Sequence, residues 1–184
     1  MRISKLKSNT RLSIKIAGEE VEEVKEFCYL GSKITKDGRC RNDIKSRLAQ
    51  GRKAFEMKRD FLASKISLKI RKRVLKTCIW TKALYGCETW TVEPQERRRI
   101  EAFEMWCYRR MLGIKWEEHI TNEEVQSRIG EKRSIWNYLT RRRDRLVGHI
   151  LRHSEVGNMD IILEGTVEGS RGVEDAQDAN ISNR

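Results

Sequence analysis

Hydrophobic residues follow one period up to about residue 40 of this chain and another after it. Leu12, Ile14 and Ile16 alternate with Ser13 and Lys15, Gly18 interrupts, and Val21 and Val24 follow. A period of two broken at a glycine predicts a strand and a turn, because successive side chains of a strand point to opposite faces. A second strand is expected over Phe27 to Thr35, ending at the turn signal Lys36-Asp37-Gly38. Residues 1–40 therefore read as a small β-hairpin element with little of its own to pack against.

From Asn42 the spacing becomes helical. Ile44, Leu48, Gly51, Phe55 and Leu62 recur on one side while Lys45, Arg52, Lys53 and Arg59 take other positions, which predicts a helix to about Ala63. Ser67 is placed as the N-cap of a second helix with a stripe of Ile70, Val74, Cys78, Thr81 and Tyr85. Pro94 suits the first turn of a third, which sets Ile100, Phe103, Cys107 and Met111 on one side. Thr121-Asn122-Glu123-Glu124 has capping-box spacing, so a short helix should end near Gly130. A last long helix is expected from about Ser134 to His153, carrying Ile135, Leu139, Leu146, Val147 and Ile150. The fold class that follows is mainly α: a helical bundle with a small N-terminal β-hairpin. No repeat of solenoid period is visible. Beyond Asn158 large apolar residues stop after Ile161, Ile162 and Leu163, so residues 157–184 read as an acidic, disordered tail.

Charge adds a partner class. The 184 residues include 39 Lys and Arg against 27 Asp and Glu, a net charge of +12. The distribution is uneven: residues 1–153 hold 37 basic and 20 acidic residues, and 154–184 hold 2 and 7. A basic body of this kind attracts phosphate polymers, and charge spread over several helices favours nucleic acid over a membrane surface. The competing reading is solvated helix faces balanced by Glu. No stretch approaches roughly 18 apolar residues and the start lacks a signal-peptide core, so an intracellular protein, cytoplasmic or nuclear and not secreted, is expected. Cys28, Cys40, Cys78, Cys87 and Cys107 are odd in number and widely spaced, which fits buried reduced thiols.

The search for reaction chemistry finds no catalytic residues. Nucleotidyl transfer needs carboxylates converging on paired divalent ions about 4 Å apart, and no Asp-Asp pair occurs. Asp37, Asp43 and Asp60 are spread over a turn and a helix, where capping or solvation explains them. Neither a Gly-x-Ser-x-Gly elbow nor HExxH is present, and phosphate-loop glycines are missing. His149 and His153 are spaced to share a helix face, but a structural zinc needs two further ligands and no close Cys pair supplies them, so no metal or other cofactor is assigned to this chain.

Binding chemistry remains. Arg71-Lys72-Arg73, Arg97-Arg98-Arg99, Arg109-Arg110 and Arg141-Arg142-Arg143 with Arg145 supply guanidinium forks suited to phosphate oxygens. Trp106 and Tyr108 interleave with the third group, and Trp136 and Tyr138 precede the fourth. Aromatic plus arginine suits base stacking beside backbone contact, or else the aromatics are core and the arginines lie over it.

Three blocks narrow the reading: Glu26-Phe27-Cys28-Tyr29-Leu30-Gly31, Leu84-Tyr85-Gly86-Cys87-Glu88-Thr89-Trp90, and AFEMWCYRRMLGI from Ala102 to Ile114. In this order they resemble the end of the reverse transcriptase of non-LTR (LINE-like) retroelements, just downstream of the polymerase palm. The likeness runs from about Ile14 to Leu151, with Gly130-Glu131-Lys132-Arg133 and Gly148-His149-Ile150-Leu151-Arg152 extending it. It implies that Phe27, Cys28, Tyr29, Leu30 and Gly31 correspond to the primer-grip hairpin at the palm edge. Residues 41–114 would form a helical thumb-like bundle that closes over a template-primer duplex of RNA or DNA, and 115–156 a basic helical extension. Lys45, Arg52, Lys53, Arg71 and Lys76 are then candidates for backbone contact by position and charge, beside Arg109, Arg110, Arg141, Arg142, Arg143 and Arg145.

The resemblance also places the catalytic aspartates, and the magnesium that the family uses at its palm, upstream of Met1. An RNA-directed DNA polymerase fragment that is inactive by itself is therefore expected, and polymerase activity would need a palm-containing polypeptide in trans. Two departures stand out. Leu146 and Val147 occupy positions where related sequences tend to have aromatics, and from Glu164 onward the chain is acidic apart from Arg171 and Arg184 instead of Gly- and Arg-rich. A frameshift near Gly172 would account for the second. The expectation is a degenerate retroelement reading frame whose residual activity is salt-dependent template-primer binding. The alternative is a domesticated helical protein-interaction module or a non-functional relic.

Overall fold

The computed structural model describes residues 15–21, 24–132 and 134–152. Two short antiparallel hairpins lead into a helical body. β1 (Lys15–Ile16) pairs with β2 (Glu19–Glu20), and β3 (Glu26–Tyr29) pairs with β4 (Ser32–Thr35) in the register Glu26 to Thr35 and Tyr29 to Ser32. The helices are α1 (Arg41–Glu56), α2 (Arg59–Leu62), α3 (Leu68–Val74), α4 (Thr81–Ala83), α5 (Pro94–Leu112), α6 (Asn122–Ile129) and α7 (Ser134–Arg152). A π-helical segment, Leu75–Trp80, joins α3 to α4. The fold is mainly α, as its periodicity predicts. Residues 1–143 form one compact unit, and the described part of the second, 144–184, is the end of α7. The expected acidic tail lies outside the described residues, as does His153.

The strand expected over Phe27 to Thr35 is instead a hairpin that folds back on itself. Leu30 and Gly31 both take positive φ, 48° and 80°, as the two central residues of a type I′ turn require. Leucine is an uncommon residue in that region, and side chains of α1 hold the turn. Arg47 Nη2 donates to the Gly31 carbonyl at 2.6 Å, and the Lys33 amide donates to Asp43 Oδ1 at 2.9 Å. The hairpin therefore does have a packing partner, the first turns of α1.

Two helix expectations need correction. The first helix stops at Glu56, and Leu62 reaches the core from the separate α2. In the second, the stripe through Ile70, Val74, Cys78, Thr81 and Tyr85 is not the buried one: Ile70, Thr81 and Tyr85 are exposed, while Leu75, Ile79, Trp80, Ala83 and Leu84 are buried. From Leu75 the chain runs as a π-helical segment, whose i→i+5 hydrogen bonding departs from the 3.6-residue phase on which that stripe is read. Ser67 does precede α3, although its side chain makes no capping bond.

The third and fourth helices match. Pro94 begins α5, Gly113 ends it at φ 69°, and Ile100, Phe103, Cys107 and Met111 are buried. Thr121 Oγ1 accepts the Glu124 amide at 3.3 Å, and Gly130 ends α6 in the left-handed region that a glycine tolerates. In α1, Gly51 is the point of closest approach: an added Cβ would lie 2.7 Å from Ala83 Cβ and 2.9 Å from Phe103 Cζ. That contact sets α1 against both α4 and α5.

Candidate nucleic-acid interface

A cation can contact phosphate readily only if the fold has not already used its donors. Several of the predicted basic residues are used. The Arg71 guanidinium donates to the carbonyls of Ile66 (2.9 Å), Leu62 (3.2 Å) and Met111 (2.6 Å), tying α3 to the ends of α2 and α5. Lys76 binds the Glu131 carboxylate at 2.8 Å, which Lys72 also approaches at 3.3 Å. Arg109 donates to Ile120 O at 2.7 Å and Asn122 Oδ1 at 3.0 Å. Arg142 donates to Leu84 O at 3.1 Å and pairs with Glu88 at 2.5 Å. Arg110 pairs with Glu56 at 3.0 Å. Arg71, Arg109 and Arg142 thus have donors on backbone carbonyls and Lys76 has its ammonium on a carboxylate, and they act as internal staples.

Lys45, Arg52, Lys53, Arg141 and Arg143 differ. None has an ion-pair partner among the described residues, and Lys45, Arg52, Lys53 and Arg141 are exposed. Lys45, Ala49 and Arg52 follow one another on α1 at steps of four and three, which sets them on one exposed face, with Lys53 beside it. Glu56 closes that row and is occupied by Arg110 and Arg59. Arg145 is exposed on the 144–152 stretch of α7.

The aromatic residues fall mostly to the core. Tyr108 is fully buried, and its hydroxyl lies 2.6 Å from Ser134 Oγ and donates to Glu104 at 3.0 Å, so it presents no stacking surface. Trp106 is half-buried, edge-on to Phe55 at 5.1 Å and stacked near Phe103 at 6.1 Å. The Arg110 and Arg52 guanidinium carbons lie 4.6 Å and 5.8 Å from its ring centroid, and Arg97 lies 4.5 Å from that of Trp136. Cation–π contact of this kind holds an arginine over a ring while its charge stays near solvent.

The primer-grip-like block has the opposite character. Phe27, Tyr29 and Leu30 are 51%, 58% and 77% exposed, and Cys28 is exposed as well, so it is not a buried thiol. Cys87 and Cys107 are buried, and burial pushes the Cys87 thiol up to about 11. Gly31 is the point where the first two sequence blocks meet: the Arg47 that binds its carbonyl also lies 4.5 Å over the Tyr85 ring. Asp43, which accepts the Lys33 amide, also accepts Trp90 Nε1 at 2.9 Å. Capping or solvation therefore does not describe Asp43, which is buried between the hairpin and Trp90. Arg47 belongs to no basic cluster, and the i, i+4 spacing of Asp43 and Arg47 on one helix is the signal that could have found both.

Buried carboxylates organise the other end of the body. Glu104 accepts Ser134 Oγ at 2.8 Å and the Ile135 amide at 2.9 Å, anchoring the start of α7. Burial pushes its carboxyl above the usual range, against the pull of those hydrogen bonds. Burial acts the same way on Glu131, but there the hydrogen bonds of Lys76 and Ser134 and the charges of Lys76 and Lys72 prevail and leave it below the usual range. Among the described residues no group of three or more His, Cys, Asp or Glu converges as metal ligands would, and no helix is long and apolar enough to cross a membrane.

Over 140 residues the chain is 23% identical to a Caenorhabditis elegans protein described as transposon-derived and uncharacterized, a match covering 74% of this chain and 50% of that protein. The chain thus spans about half the length of the relative it matches. No known family model matches it, and no solved structure does. The similarity is consistent with a transposon origin.

Proposed function

We propose that the chain is a retroelement-derived nucleic-acid grip, a thumb-like helical body with a primer-grip-like hairpin, that holds a template-primer duplex through phosphate contacts. The observation that carries this reading is the row of cations without ion pairs on the exposed face of α1, Lys45, Arg52 and Lys53, in a body where Arg71, Lys76, Arg109 and Arg142 are tied to carbonyls and carboxylates. Charges without ion pairs attract phosphate with no internal salt bridge to break first, and such contacts carry little sequence information. Polymerase chemistry is assigned to a palm supplied in trans and to none of these residues. The test is fluorescence titration of an RNA–DNA hybrid at two salt concentrations. Binding should weaken steeply with salt and weaken further in K45Q/R52Q and in R141Q/R143Q, both of which leave the staples intact. Affinity that is insensitive to salt and to both double variants would overturn the reading.

A second reading is favoured by one specific observation. Phe27, Tyr29 and Leu30 expose their side chains on a hairpin held rigidly by Arg47 and Asp43, the arrangement expected of a surface that docks another polypeptide. Retained partner binding by a chain that ignores nucleic acid would select this reading.

A further inference from the structure

Two clefts on residues 1–143 differ in charge. The one beside α5 and α6, about 620 Å³, is lined by Arg98 and Arg109 together with Glu101, Glu104 and Glu123, so its cations are matched within it. The other, about 430 Å³, lies between α1 and α4 and has no carboxylate in its lining. Gln50 and Lys53 of α1 and Met57 at its C-cap follow one another at steps of three and four, and Lys82 and Tyr85 line the other wall. The close crossing of Gly51 and Ala83 sets these walls, since Gln50 and Lys82 adjoin those two residues.

Lys53 and Lys82 have no ion-pair partner among the described residues. Two like charges lining one cleft repel, and an anion between them removes that repulsion. Arg47 also lines the cleft. It is 8% exposed, its Nη2 is committed to Gly31 O, and its Nε makes no hydrogen bond, with Asp43 Oδ1 3.9 Å away. Its guanidinium stacks on Tyr85, which fixes that ring while leaving it 53% exposed. The cleft therefore offers two lysine ammonium groups and an amide beside a braced aromatic ring and a thioether, and such a ring is a platform on which a base can stack.

We propose that this cleft is a nucleotide site: Lys53 and Lys82 hold the phosphate, and the base lies against Tyr85 and Met57. The inference rests on the nucleic-acid reading for the choice of ligand class and shares Lys53 with it, whereas Lys82 and Tyr85 lie outside the α1 row that carries that reading. The ligand is a nucleoside monophosphate, free in solution or at the end of a strand.

The experiment is calorimetric titration of the full chain with adenosine monophosphate, adenosine and inorganic phosphate. Adenosine monophosphate should bind one site more tightly than either part alone. K82Q and K53Q should each weaken it about tenfold, the worth of one charge-assisted contact. Y85A should weaken adenosine monophosphate and leave inorganic phosphate unchanged. Lys82 and Lys53 are exposed, so a fold change in those variants is not expected, and circular dichroism on the same samples checks this. The proposal is overturned by equal affinity for adenosine and its monophosphate, by unchanged affinity in folded K82Q and K53Q, or by hybrid binding without a saturable nucleotide site. A chain that binds the nucleotide through Lys82 yet ignores the hybrid would overturn the polymer reading and leave this site standing. Displacement by a 5′-phosphorylated oligonucleotide assigns the site to a strand end, and failure to displace assigns it to free nucleotide; both support it.

Discussion

Arg71, Lys76, Arg109 and Arg142 look like Lys45, Arg52 and Lys53 in sequence and do different work. Arg71 bridges three carbonyls, Lys76 and Lys72 share Glu131, and Arg109 closes the loop before α6. Lys45, Arg52 and Lys53 sit on one helix with no counter-charge of their own. A net charge of +12 is therefore a poor guide to binding, because part of it is consumed inside the fold. What counts is the charge left over after the carbonyl oxygens and carboxylates have been served.

The sharpest way to break this comparison is to remove a staple. Arg71→Ala strands the carbonyls of Leu62 and Met111, and a loss of about 2–3 kcal/mol is expected from charged hydrogen bonds of this kind. Denaturant unfolding should report that loss, while the folded protein binds hybrid as before; reduced affinity without reduced stability would place Arg71 among the presenting cations instead. Glu131→Gln removes the counter-charge of Lys72 and Lys76 on a mostly buried carboxylate, for about 1–2 kcal/mol.

The two acids also give opposite pH dependences. Glu131 is lowered in the fold, so its contribution is present above its ordinary value of 4.5 and is lost as pH falls through the folded value. Glu104 is raised, so its folded state holds a proton that the unfolded chain releases, and stability falls as pH rises from 4.5 through the folded value. Unfolding measured across that range should lose its falling limb in Glu104→Gln, which keeps the acceptor oxygen, and its rising limb in Glu131→Gln. Identical profiles in both variants would contradict the assignment. The smallest effect on stability belongs to α1: K45Q/R52Q/K53Q should change unfolding free energy by no more than about 1 kcal/mol, as for surface positions whose one contact is Arg52 over the Trp106 ring.

Much of the body was legible in the sequence because its signals are local. Pro94 and Gly113 bound α5, Thr121 and Gly130 bound α6, and the α5 stripe of Ile100, Phe103, Cys107 and Met111 is the buried one. The π-helical turn was not legible, since no residue in Leu75 to Trp80 marks it, and the side chains buried there are Leu75, Ile79 and Trp80. The fold-back at Leu30 was hidden because leucine seldom takes positive φ, and the compensating Arg47 lies 16 residues beyond Gly31. The division of cations was hidden for a similar reason. Lys76 and Glu131 are 55 residues apart, and Arg71 meets Met111 across 40, so no spacing rule identifies them as partners.

The most direct test of the central claim is the salt dependence of hybrid binding. The slope of log affinity against log salt counts the phosphates neutralised, at about 0.9 per contact on a duplex. For K45Q/R52Q/K53Q the account predicts a slope shallower by about two to three, with the fold and the unfolding free energy preserved. An unchanged slope in that variant would contradict it, and would move the phosphate contacts off α1 altogether.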